Sequence, residues 1–94
     1  MPYIPEPERK NLDKIVDELI SQLTKDNFRG RLNYFISSLA SRLIDTNGVS
    51  YSLINDLIGV LECVKLEIYR RVASPYEDKK KEENGDVYGS INGD

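Results

Sequence analysis

Residues 51–73 read YSLINDLIGVLECVKLEIYRRVA, and this stretch decides the fold class. Apolar residues recur in it at intervals of three and four positions, which places them on one face of an α-helix. With Ser50 as N-cap, the pattern predicts a long helix whose apolar surface is wider than two neighbouring helices would cover. The main stripe consists of Ile54, Leu57, Leu61, Val64, Ile68 and Val72, and Leu53, Ile58, Val60 and Tyr69 widen it.

Two residues inside this helix are predicted to lie against other parts of the protein. Gly59 costs about 1 kcal/mol in a helix relative to Ala, so a close packing contact is expected there. Cys63 lies beside Leu61 and Val64 on the stripe, and we expect its thiol to be buried and unreactive.

Two amphipathic segments precede the long helix. The periodicity predicts helices over residues 7–24 and 31–45, with Asn47-Gly48 as a stop signal. Gly30 indicates a break before the second helix, although Asp26 or Asn27 would cap it if it began earlier. The stripes are Leu12, Ile15, Val16, Leu19, Ile20 and Leu23 in the first segment, and Leu32, Phe35, Ile36, Leu39, Ala40 and Leu43 in the second. We predict an all-α fold in which these two helices form an antiparallel hairpin and the long helix lies across or along them.

The segment after the long helix is strongly charged. In SPYEDKKKEENGDVY, residues 74–88, Ser74 is predicted as N-cap and Glu77 as its capping-box partner, which gives a short helix over 75–83. Val87 and Tyr88 are predicted to fold back as an apolar latch, and the alternative is that all of 75–94 is solvated. The expected division is a helical domain at 1–74, a short helix and latch at 75–88, and a flexible tail at 89–94.

Composition restricts the class of protein. The 94 residues suit one domain, and residues 1–73 carry 10 Lys/Arg and 10 Asp/Glu, so the net charge of −3 lies wholly in residues 74–94. A neutral body with an acidic tail argues against binding to nucleic acid. The N-terminus lacks a signal-peptide pattern, no stretch resembles a membrane span, and the single cysteine favours a reducing compartment. We therefore expect a cytoplasmic protein.

The residue types that most often carry catalysis are scarce. The chain contains no His, which removes the commonest general base and most zinc sites. Asp45 and Asp56 have the spacing of a calcium loop, but Gly48 and Val49 stand where such a loop needs other residues. We expect no enzymatic activity, no metal and no cofactor.

Arginine and tyrosine residues offer a different chemistry. Arg29, Arg31, Arg42, Arg70 and Arg71, with Tyr34 and Tyr69 among them, would suit a phosphate or a nucleotide. They would equally suit ion pairs within the chain or between subunits, and the sequence alone leaves both interpretations open. A surface ion pair is expected between Glu62 and Lys65.

Several motifs resemble a known family. The opening MPYI, and then YRR, PYED and NGDVY within residues 51–88, are similar to a family of small bacterial, archaeal and phage proteins that is classed as a domain of unknown function. The resemblance covers residues 1–23 and 51–88 and brings no activity, cofactor or catalytic residue. It implies a shared pattern at Tyr69, Arg70, Arg71, Pro75, Tyr76, Glu77, Asp78, Asn84, Gly85, Asp86, Val87 and Tyr88.

The sequence therefore favours a small non-enzymatic binding or assembly protein, in the manner of a viral or prophage accessory factor. Its expected partners are a second copy, most simply in a twofold dimer, and an unknown protein. The alternative is an oligomer that binds a nucleotide or phosphorylated metabolite at a subunit interface. The candidate binding or interface residues are Tyr69, Arg70, Arg71, Tyr76, Glu77, Asp78 and Tyr88.

Overall fold

The structure is a computed structural model that describes residues 2–88, and it confirms the all-α prediction. Within that range the chain forms α1 (Glu6–Ser21), α2 (Phe28–Asn47), α3 (Tyr51–Ile68), a π-helical turn (Tyr69–Ala73) and α4 (Ser74–Asn84), with no strand. The last three elements follow without interruption, so they form one long helix joined from pieces. The predicted flexible tail at 89–94 lies outside the described residues.

The chain divides into two compact units. The first unit runs from Met1 to Ile58 and the second from Gly59 to Asp94. The first contains α1, α2 and the opening turns of α3, and the second contains the remainder of α3, the π turn and α4. The domain division after Ser74 that the sequence predicts stays a prediction.

The first unit contains the helical hairpin, closed by polar contacts that the sequence analysis missed. The Thr24 backbone N–H donates to Asn27 Oδ1 at 2.7 Å, and the Asn27 N–H donates to Thr24 Oγ1 at 3.2 Å. This reciprocal pair has the form of a capping box, with Asn27 in the position usually taken by Glu or Gln. Arg31 Nη1 adds a bond to the Gln22 carbonyl at 2.7 Å. Because these bonds start α2 at Phe28, the predicted break at Gly30 is wrong.

Glycines end two of the helices, and the first of them lies in the stop signal that the sequence predicts at Asn47-Gly48. Gly48 and Gly85 have φ angles of 82° and 90°, a region that side chains disfavour. The Gly48 N–H donates to the Ile44 carbonyl at 2.7 Å, and the Gly85 N–H donates to the Lys81 carbonyl at 2.9 Å. These bonds satisfy carbonyl groups that the helix ends would otherwise leave free.

The two predicted serine caps have different outcomes. Ser50 Oγ accepts a hydrogen bond from the Leu53 N–H at 3.1 Å, as an N-cap does. Ser74 instead has helical angles, φ −62° and ψ −50°, and no side-chain bond caps α4. The capping box predicted for Ser74 and Glu77 is therefore wrong, because the helix passes through Ser74 and needs no new start.

Packing within the first unit is shallow but shared by all its helices. No residue in the described range 2–88 is fully buried. The half-buried apolar side chains of the first unit lie on the N-terminal segment, α1, α2 and early α3, as well as in the turn after α1; they are Ile4, Leu19, Leu23, Phe35, Ala40, Ile44, Leu53, Ile54 and Leu57.

Candidate interaction surface

The apolar face of α3 changes its environment along the helix. Leu53, Ile54 and Leu57 are half-buried in the first unit. From Ile58 onward every apolar side chain of α3 is exposed, and Leu61 and Ile68 remain 45% and 56% accessible. A helix with apolar residues around most of its circumference is normally buried. The C-terminal part of α3 is therefore an apolar surface that the described part of the chain leaves open.

Cys63 and Gly59 belong to this open region. The thiol of Cys63 is exposed, so its predicted burial is wrong. A Cβ atom placed on Gly59 would meet nothing within 4 Å, so the predicted close contact is also wrong. Both predictions assumed a neighbouring helix that the described residues do not supply.

A π-helical turn joins α3 to α4. The Ser74 N–H donates to the Tyr69 carbonyl, five residues earlier. In an ordinary α-helix, Pro75 would lack the N–H for the Arg71 carbonyl, and its ring would collide with that carbonyl. Widening the turn by one residue relieves the collision, and such insertions often occur at functional sites. Sequence periodicity cannot detect this turn, because the proline equally suits the first turn of a separate helix.

The turn positions three of the predicted site residues. Tyr69, Arg70 and Arg71 lie within it, and Tyr69 is 56% exposed. Arg70 Nη2 lies 2.9 Å from Glu67 Oε1, and the Glu67 side chain is only 23% accessible. Arg70 thus has a carboxylate partner three residues earlier in the chain.

The other four predicted residues lie on α4 and just beyond it. Tyr76 is 60% exposed, with the Lys80 ammonium 5.6 Å from its ring centroid. Asp78 lies 4.0 Å from Lys81, so it too has a partner one turn away. Glu77, Asp78 and Tyr88 line one shallow depression at the end of α4.

The apolar latch predicted at the chain end does not form in the structure. Val87 is 87% exposed and Tyr88 is 66% exposed. A short turn holds this segment, in which the Tyr88 N–H donates to Asp86 Oδ1 at 2.8 Å. A latch would require the two side chains to be covered, and here they are open.

Surface ion pairs follow the helix periodicity. Lys65 Nζ lies 2.9 Å from Glu62 Oε1, which confirms the predicted pair. Lys80 and Glu83 form a similar pair at 3.3 Å. Like the pairs made by Arg70 and Asp78, these join neighbouring turns of one helix, so they support the helix and define no catalytic arrangement.

The first unit also contains an apolar groove, which the sequence analysis missed. It lies between α1 and α2, and Arg42 is the one charged residue in its lining. The lining is mostly leucine, isoleucine and aromatic side chains; it consists of Ile15, Leu19, Leu23, Leu32, Tyr34, Phe35, Ile36, Ser38, Leu39 and Arg42. Seven of these residues belong to the apolar stripes that the sequence predicts for the two helices of the hairpin: Ile15, Leu19, Leu23, Leu32, Phe35, Ile36 and Leu39.

The N-terminal motif has a structural role. Arg9 Nε donates to the Ile4 carbonyl at 2.7 Å, and Ile4 is half-buried. This bond holds the segment before α1 against that helix. The MPYI motif is thereby tied to α1 through Ile4.

Residues 2–88 contain neither a candidate membrane-spanning helix nor a candidate metal-binding cluster. None of the helices there combines the length and apolarity needed to cross a bilayer. No three Cys, Asp or Glu side chains of that range lie close enough together to hold a metal ion.

Fold and surface together define a small all-α protein with open apolar helical faces. The chain belongs to the DUF6899 family, a domain of unknown function whose family model matches residues 1–87. That match includes residues 24–50, which the motif resemblance did not cover. Neither the curated proteins nor the solved structures contain a match to the chain.

Proposed function

We propose that this protein is a small, non-enzymatic, self-associating binding protein that acts by docking its apolar helical surfaces on other protein chains. The observation that carries the proposal is the absence of any fully buried residue in the range 2–88. Monomeric soluble proteins rarely expose large continuous apolar patches, and such patches mark interaction sites.

Compartment and biological context are extensions of the proposal. The single cysteine favours a reducing environment such as the cytoplasm. The MPYI, YRR, PYED and NGDVY motifs resemble those of bacterial, archaeal and phage proteins, which supports a role as a viral or prophage accessory factor.

Light scattering across a range of protein concentrations tests the proposal. We expect a dimer at about 20 µM, because apolar surface of this extent favours association over exposure to water. A chain that stays monomeric at about 100 µM would contradict the proposal.

A second candidate function is the binding of a nucleotide or phosphorylated metabolite. It is favoured by the exposure of Tyr69 and Tyr76 near Arg70 and Arg71, because Arg binds phosphate through paired hydrogen bonds. A thermal-shift screen with such ligands separates the candidates. A ligand-induced shift that Arg71→Ala abolishes would favour this second function, and Lys79→Ala is the control for the loss of a positive charge.

A further inference from the structure

We propose that a second copy of this chain covers the open face of α3, and that the two α3 helices pack antiparallel along one apolar seam. This inference rests on the proposed self-association and specifies its geometry. The seam contains Leu57, Leu61, Val64 and Ile68 of α3, continued by Val72 of the π turn and Tyr76 of α4.

The spacing of the seam is that of a two-helix coiled coil. Leu57, Leu61, Val64 and Ile68 are separated by four, three and four positions, as d, a, d and a residues of a heptad are. Leu57 is half-buried in the first unit, whereas Leu61, Val64 and Ile68 are 45%, 48% and 56% exposed. The last three residues are therefore accessible to the side chains of a partner helix, and Leu57 is accessible in part.

The π turn extends this seam past the point where an uninterrupted α-helix would end it. In a regular heptad the position after Ile68 falls on Arg71 and the next on Pro75. A turn that absorbs one extra residue moves these positions to Val72 and Tyr76. Val72 and Tyr76 are 64% and 60% exposed, so their apolar surface is accessible to a partner helix. The turn replaces a cation and a proline in the seam by two large apolar residues.

Charge favours the antiparallel orientation. Asp56 is the single charged residue in the first half of α3, whereas Arg70 and Arg71 lie at its far end, in the π turn. An in-register parallel pair would bring each arginine level with its own copy. The antiparallel pair places the acidic half of each helix beside the basic end of the other and also opposes the helix dipoles.

The antiparallel register follows from the seam. When a positions face d positions, Leu61 of one copy lies level with Val64 of the other, and Leu57 lies level with Ile68. The same alignment brings Asp56 of one copy level with Tyr69 of the other, one position before Arg70 and two positions before Arg71. The apolar and the charged residues thus define one alignment, with the twofold axis close to Cys63.

Two substitutions on α3 provide a matched test of the seam. Ile68 and Leu66 are 56% and 55% exposed and lie two positions apart, which places them on opposite faces of the helix. In sedimentation equilibrium, we expect Ile68→Glu to weaken the dimer at least 100-fold and Leu66→Glu to weaken it less than threefold. Because both side chains are exposed within the chain itself, loss of the fold does not explain a difference between the two variants.

Disulfide trapping tests the orientation, in a Cys63→Ser background. We expect Leu57→Cys mixed with Ile68→Cys to give a covalent heterodimer, because those residues lie level in the antiparallel register. Ile68→Cys alone should give no disulfide dimer, since its two copies lie about 16 Å apart along the helix axis.

The outcomes distinguish the seam from the wider proposal. A wild-type chain that is monomeric, with its second unit covered by its own first unit, would overturn both. A dimer that Ile68→Glu and Leu66→Glu affect equally would overturn the seam and leave self-association standing. A dimer trapped by Ile68→Cys alone would overturn the antiparallel orientation.

Discussion

The two units of this chain bury their apolar side chains to different extents. In the first unit, three helices and the segments beside them share nine half-buried apolar side chains among the residues described. In the described part of the second unit, 59–88, the half-buried residues are Glu67, Ala73 and Ser74. The apolar residues of the first unit are thus shared among several segments, whereas the described part of the second unit is one helical segment whose large apolar side chains are exposed.

This contrast has an energetic consequence. Isolated helices are marginal in water, and most helical stability in proteins comes from packing an apolar face. The second unit contains such a face, with Val60, Leu61 and Val64 each between 45% and 58% exposed. We therefore expect the second unit to be less stable on its own than the first unit, and to gain more stability from a partner chain.

The largest expected effect comes from Phe35 in the first unit. Phe35 and the adjacent Tyr34 both line the groove between α1 and α2, but Phe35 is half-buried and Tyr34 is 67% exposed. We expect Phe35→Ala to lower the free energy of unfolding by about 2–3 kcal/mol, less than for a fully buried aromatic ring. Urea denaturation measures the loss, and Tyr34→Ala is the control for an exposed ring, with a loss below about 1 kcal/mol. Equal losses would show that the burial of Phe35 does not determine its contribution to stability.

The next effect concerns the π turn of the second unit. Pro75→Ala restores the missing N–H and removes the clash that widens the turn. We expect the turn to tighten, so that Val72 and Tyr76 rotate away from the seam and the dimer dissociation constant rises about tenfold, or about 1.4 kcal/mol. Sedimentation measures the constant, and circular dichroism should show equal or greater helix content. Unchanged association in a more helical variant would mean that the π turn does not set the seam.

A smaller effect separates two serines that precede helices. Ser50 caps α3 through its bond to the Leu53 N–H, whereas Ser74 lies inside a continuous helix. We expect Ser50→Ala to lower the free energy of unfolding by about 1 kcal/mol and Ser74→Ala to leave it unchanged within about 0.5 kcal/mol. Chemical denaturation of both variants measures the difference. A loss at Ser74 as large as the loss at Ser50 would restore the separate capped helix that the sequence predicted.

Local patterns predicted the helices because the relevant interactions lie close together in the chain. The apolar stripes, the Ser50 cap and the stops at Gly48 and Gly85 each depend on residues within a few positions of one another. The early start of α2 depends on a Thr24–Asn27 pair that is equally local, so the T-x-x-N spacing would have predicted it. The sequence left two starts open, and the structure has the earlier one, with Asn27 directly before the helix and no break at Gly30.

The candidate surface was harder to predict because its burial is not decided locally. Cys63 and Gly59 were expected to be covered, since they lie on an apolar helix, yet both face open space. The π turn was missed because Pro75 favours a helix start and a widened turn equally. The structure places the candidate residues in the π turn, on α4 and just beyond it, while their role in binding stays a prediction.

The smallest expected effect tests Gly59, the first residue of the second unit. Glycine costs more backbone entropy in a helix than alanine does, and a Cβ atom at this position would meet nothing within 4 Å. In the heptad of the proposed seam, Gly59 lies on the face opposite Leu61 and Val64, so a methyl group would not touch the second copy either. We therefore expect Gly59→Ala to raise the free energy of unfolding by about 0.5–1 kcal/mol and to leave association unchanged.

The control for Gly59→Ala is a glycine that has the same open space but a different backbone. A Cβ atom on Gly48 would also meet nothing within 4 Å, but the φ angle of 82° disfavours any side chain, so Gly48→Ala should destabilise the chain by about 1 kcal/mol. Thermal and urea denaturation measure both changes, and light scattering measures association. If Gly59→Ala weakened the dimer, the second copy would have to approach α3 closely on its glycine face. The interface would then lie on the side of the helix opposite the seam, and the open apolar residues of the second unit would need a different partner.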